Sequence, residues 1–143
     1  MTVSDATRFI AVFAVVFGSI ACGAKTPTEP DAPAPVYELK TSTFAGTVKT
    51  GETVAFPFTV VNPGLISVSI TELAPTSTIT MGIAMGFWDA AASTCTQQLS
   101  TSSATLNVVF DATPSAPGEY CVGIIDVGNV QVSSDFTLKV TYY

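Results

Sequence analysis

The chain has 143 residues, 48% hydrophobic and only 11% charged, which excludes a disordered tail and leaves room for one domain plus an address segment. Eleven acidic against five basic residues give a formal net charge of −6, the wrong balance for holding nucleic acid by its phosphates. There is no histidine, which removes Ser-His-Asp and Cys-His catalysis, histidine-ligated metal sites and a histidine pH switch.

The first element in chain order is an address. After the polar start Met1–Arg8, an apolar run extends unbroken from Phe9 to Phe17, then Gly18-Ser19-Ile20-Ala21 and Cys22 follow. A membrane span needs about 20 apolar residues. This run is shorter and suits the apolar region of a secretory signal, so residues 1–21 are expected to be a signal peptide. A buried core strand or helix is the competing reading, but the prolines that follow would strand it from any core. Arg8 is the only basic side chain here, and Asp5 offsets it.

Ser19-Ile20-Ala21-Cys22 resembles the lipobox of bacterial lipoproteins, although Ser19 stands where leucine is usual. The resemblance implies that the Cys22 thiol is acylated and becomes the first mature residue. Each buried methylene contributes about 0.8 kcal/mol, so several acyl chains would hold the protein on a membrane. Gly23, in place of a retention-type aspartate, implies the outer membrane where the cell has one. Ordinary cleavage after Ala21 is the alternative, since Ser19 and Ala21 are both small. Residues 22–37 then comprise the lipidation site and a tether. Prolines at 27, 30, 33 and 35 forbid regular helix or a central strand, so the stretch is extended, at about 3.1 Å per residue.

Residues 38–143 read as all-β. Thr53–Val61 alternates, with Val54, Phe56, Phe58 and Val60 on one face, and Pro57 requires an edge or a bulge. Asn62-Pro63-Gly64 is a turn. Leu65–Leu73 points Ile66, Val68 and Ile70 inward and Ser67, Ser69 and Thr71 outward. Met81–Trp88 sets Ile83, Met85 and Phe87 against Gly82, Ala84 and Gly86. Ala104–Phe110 puts Leu106, Val108 and Phe110 together, Tyr120, Val122 and Ile124 repeat the pattern, and Phe136, Leu138, Val140 and Tyr142 finish it. Turn-rich breaks separate these runs at 50–52, 89–94, 113–118 and 128–129. Seven to nine antiparallel strands without a helix predict a two-sheet β-sandwich, jelly-roll-like, because each half-apolar sheet must bury one face.

Three cysteines are present. With Cys22 acylated, Cys95 and Cys121 remain as an even pair in an exported chain and are expected to form a disulfide. It would close a loop of about 26 residues and stabilise by about 3.5 kcal/mol in the chain-entropy model. Two free thiols, or a bond to Cys22, are the competing readings.

From Phe44 to Tyr143 the strand order resembles the bacterial pre-peptidase C-terminal domain. Thr47–Glu52 leading into Val54–Val60 is like its opening strands, and Pro63-Gly64-Leu65-Ile66-Ser67-Val68 is like its G-x-L-x-V strand. Ala116–Val122 is similar to its A-G-x-Y-x-V strand, and Phe136–Val140 to its closing Y-x-L-x-V. Met81–Trp88 departs from the family, lacking the aspartates of its D-x-D-L-Y-L-type strand. The resemblance implies a jelly-roll appendage of exported proteins, without catalysis of its own, some members binding extracellular polymers.

The chemistry on offer is sparse. The acids from Glu38 to Asp135 sit mostly at strand ends and turns, where solvated carboxylates are ordinary, and no pair has motif-like spacing for glycosidase work. Asp89, Asp111 and Asp126 could gather at one end as a calcium site, but no D-x-D-x-D-G loop supports it, and no metal or cofactor is expected. No serine lies in a G-x-S-x-G elbow. Trp88, out of phase with Ile83, Met85 and Phe87, is the candidate ligand-stacking residue; a core cap at the strand end is the competing reading. Gly82, Ala84 and Gly86 predict a flat strip that another chain or polymer could approach.

The sequence therefore predicts an exported, membrane-anchored lipoprotein that is not an enzyme and whose sandwich binds a polysaccharide or protein. The alternatives are a structural envelope subunit assembling with itself or a membrane complex, an accessory partner of a secreted protease, and a small carboxylate hydrolase.

Overall fold

The computed structural model describes residues 35–114 and 116–143; the predicted signal peptide and Cys22 lie outside them. Among the described residues there is no helix. Eight strands form: β1 (Lys40–Lys49), β2 (Thr53–Val60), β3 (Ile66–Ala74), β4 (Met81–Asp89), β5 (Thr94–Ala104), β6 (Val109–Ala112), β7 (Gly118–Ile125) and β8 (Ser133–Tyr142). Burial follows the alternation. In β8 Ser134, Phe136, Leu138, Val140 and Tyr142 are buried, and in β3 Ile66, Val68 and Ile70 are.

The pairs β1–β8, β2–β7, β3–β6 and β4–β5 are nested, as in one long hairpin with its tip at the β4–β5 turn. Rolling that hairpin up adds the pairs β3–β8 and β4–β7. Two four-stranded antiparallel sheets result, β1-β8-β3-β6 and β2-β7-β4-β5, the arrangement of a jelly roll. The core lies between them. Val68, Ile70 and Leu138 of the first sheet meet Ile83, Val122 and Ile124 of the second, all fully buried. Burial of each such side chain is worth about 1.5–3 kcal/mol.

Every sheet edge carries a device that discourages further pairing. β1 is bracketed by the exposed Lys40 and Lys49. β2 carries Pro57, at an edge as its missing N–H requires. β6 is four residues long. β5 is irregular at two places in its pairing with β4, where Met81↔Ala104 gives way to Ile83↔Thr101 and Met85↔Leu99 to Gly86↔Gln97.

Two sequence expectations need correction. Residues 104–110 are not one strand. Ala104 ends β5, Asn107 takes a positive φ of 64°, and Val108 donates its N–H to the Thr105 carbonyl at 3.2 Å. The turn breaks the alternation and leaves Val108 51% exposed, while Leu106 bridges to Ile70. Conversely, Thr94–Ala104 is the longest strand, although its Ser/Thr/Gln sequence shows no apolar alternation. It forms because β4 supplies a pairing edge.

Candidate functional site

At the end of the sandwich where β2 finishes and β7 begins, the sheets part around a cleft of about 200 Å³. Its walls include Phe58, Ile66, Met85, Phe87, Leu99 and Tyr120, and no charged side chain lines it. Phe87 and Leu99 are 51% and 50% exposed, so two large apolar side chains meet solvent at its margin. The aromatic rings form a chain: Phe87 to Tyr120 at 5.2 Å between centroids, Tyr120 to Phe58 at 6.3 Å, and Phe58 to Tyr142 at 5.0 Å. The Tyr120 hydroxyl donates to the Ala116 carbonyl at 2.8 Å, securing the loop before β7 whose Thr113 and Pro114 also line the cleft.

The disulfide adjoins this cleft. Cys95 and Cys121 are bonded, with Cα atoms 5.8 Å apart, within the range such bonds require. Tyr120 and Val122 point into the core, so Cys121 points outward from the second sheet. Gly86 lies directly opposite Cys121 in the β4–β7 ladder and shares that outer side. The Thr96 carbonyl occupies the space a Gly86 side chain would need. Thus the first half of β5 rides over the outside of β4, and Cys95 reaches β7 across it. Cys121 and Gly86 themselves line the cleft, as do Gln98 and Leu99 just beyond the crossing.

This crossing overturns the expectation of an open strip. Gly82, Ala84 and Gly86 are buried, Ala84 at 3% exposure. Thr96 covers Gly86, and a side chain at Gly82 would begin 3.0 Å from Ile125 Cβ and 3.2 Å from Val127 Cγ1. Trp88 lies one residue past Phe87, opposite Cys95 in the β4–β5 ladder, and is half-buried. Its alternation sets it on the same outer side as Gly86, and it is not among the residues that line the cleft.

The opposite end is held by a carboxylate. Asp126 is 7% exposed and accepts four backbone N–H groups: Gly51 at 2.8 Å, Gly128 and Asn129 at 2.9 Å, and Val130 at 3.0 Å. The Gly51 hydrogen bond, then that of Val130, lowers its pKa below the ordinary aspartate value, against the opposing effect of burial. Asp126 thus ties the β1–β2 turn to the β7–β8 loop. Asp89 accepts from Ala91 and Ala92 within its own turn. The β4–β7 ladder runs from Gly82↔Ile125 to Phe87↔Tyr120, so Asp89 and Asp126 stand at opposite ends and the three aspartates do not converge. Among the described residues no three acidic or cysteine side chains gather as metal ligands would.

Other acids are held by threonines directly across a ladder. Thr59 donates to Glu119 at 2.7 Å, Thr47 to Asp135 at 2.6 Å and Thr137 to Glu72 at 2.7 Å. These are cross-strand structural pairs. Sequence reasoning placed Phe58, Ile66, Met85, Phe87 and Tyr120 together only as one apolar class and passed over Leu99, which has no alternating neighbours to mark it. No protein-family model matches the chain, and no curated protein matches it.

Proposed function

We propose that the chain is an exported, membrane-anchored lipoprotein whose β-sandwich is a non-catalytic binding module, and that its ligand is a protein presenting an apolar side chain to the cleft. The observation that carries this reading is the uncharged, aromatic-walled cleft with Phe87 and Leu99 half exposed at its margin. Binding sites are concave and mostly apolar, with a few polar groups at hand, here Gln98 and Thr113. About 200 Å³ is room for one aromatic or branched side chain, the usual anchor of a protein interface. Export and anchoring rest on the apolar run before Ser19-Ile20-Ala21-Cys22. The likeness of Phe44–Tyr143 to the pre-peptidase C-terminal domain supports an accessory role beside other exported proteins.

Self-assembly through sheet edges is less well supported, because Lys40 and Lys49, Pro57, the irregular β5 and the short β6 all oppose added strands. A glycan would need a flat aromatic platform, and Trp88 on the outer side is the residue to test for it.

The test is peptide-library selection on the immobilised full-length protein, with a glycan array run in parallel. Enriched peptides are expected to share an apolar anchor and to bind Phe87→Ala and Leu99→Ala about tenfold more weakly. Trp88→Ala should leave them unaffected. No enrichment, or glycan binding abolished by Trp88→Ala, would overturn the reading.

A further inference from the structure

We propose that the cleft is completed only when Cys95 and Cys121 are joined, so that the bond gates ligand binding. The inference rests on the reading of the cleft as a binding site. In the sheet order β4 separates β5 from β7, yet the bond joins β5 to β7. It therefore draws the first half of β5, still paired with β4, over the outer side of β4 toward β7. The crossing is close: Gln97 Cα would stand 2.9 Å from a side-chain carbon on Gly86. The ladder loses register at Met85/Gly86, just where β5 turns onto this path. Gln98 and Leu99, which wall the cleft, are the next residues along β5. Their position follows from a cross-link three and four residues earlier.

Without the bond, this half of β5 keeps only its ladder to one strand. It is at a sheet edge and, apart from the half-buried Cys95, exposed from Thr94 to Ser100. Few buried contacts and an edge position mark a segment that opens locally. The remaining sheet pairs do not run through this half of β5. Release should thus move one wall and leave the sandwich standing.

Closure forms the Sγ–Sγ bond. Each thiol gives up its proton, and the pair passes two electrons to the disulfide of a thiol oxidoreductase, which leaves as a dithiol. A dithiol donor reverses the step, attacking at Cys95, since Cys121 is fully buried. A copy still in a reducing compartment would have no finished cleft.

The neutral dye N-phenyl-1-naphthylamine serves as probe, with amide hydrogen exchange read alongside. Oxidised full-length protein, the same protein reduced with a phosphine, and Cys95→Ser/Cys121→Ser are compared. The gate requires at least tenfold weaker dye binding in both dithiol-free and reduced forms, faster exchange over Thr94–Leu99, and unchanged exchange over β2, β7 and β8. Reoxidation of the reduced protein should restore binding. Equal dye affinity with unchanged exchange at Thr94–Leu99 would overturn it. So would unfolding of all strands together on reduction, which would make the bond a general staple. If the oxidised protein takes up no dye, the cleft reading fails; the exchange at Thr94–Leu99, which needs no ligand, tells that failure from failure of the clamp.

Discussion

The carbonyl oxygen of Thr96 stands where the side chain of residue 86 would begin, and residue 86 is a glycine. That juxtaposition lets β5 cross β4 and brings Cys95 to Cys121. Gly86→Ala should therefore destabilise the protein. The added methyl must displace backbone rather than the far end of a flexible side chain, and overpacking of this kind costs about 1–3 kcal/mol. Urea unfolding of the oxidised protein measures it, and free-thiol titration should find more unpaired cysteine after refolding. Gly51→Ala would not be an equivalent control, because Gly51 has a positive φ of 71° and open space around it.

Asp126 is the second site where one residue holds distant segments. Asp126→Ala removes the acceptor for four N–H groups and should cost about 3 kcal/mol by chemical denaturation.

The same carboxylate predicts a pH dependence. Its folded pKa lies below the unfolded value, about 3.9 for aspartate, so the unfolded state binds more protons in the interval between them. The stabilisation is complete above the unfolded value and is lost as pH falls through the folded one. Melting temperatures of the native protein and Asp126→Asn, measured from pH 7 down to pH 2, should converge at the acid end. A constant gap across that range would refute the ionic origin.

Tyr120→Phe removes only the hydroxyl that reaches the Ala116 carbonyl. We expect about 1 kcal/mol of lost stability and faster amide exchange in the loop before β7, with the tilted ring contacts to Phe58 and Phe87 retained.

Cys22→Ser addresses the address segment. If Cys22 carries acyl chains, the native protein pellets with membranes and the variant does not. Cleavage after Ala21 without acylation predicts instead that both are released alike, and the intact mass of the mature protein separates the two.

Much of the fold was legible because strand alternation is a local property. Phe136, Leu138, Val140 and Tyr142 repeat every second residue and are all buried, and Pro57 announced an edge because it lacks an N–H. The cysteine pairing was legible by counting. By itself the sequence determined a two-sheet sandwich and most of its core faces, Val108 and Phe87 being the exceptions, since those follow from neighbours two residues apart. Only the tertiary structure decided that Thr94–Ala104 is a strand, that its backbone covers Gly86, that Gly51 and Asp126 meet across 75 residues, and that Phe87 and Leu99 flank a cleft. Each depends on which remote segment packs against a residue, and rolling the nested hairpin is the step that chooses it.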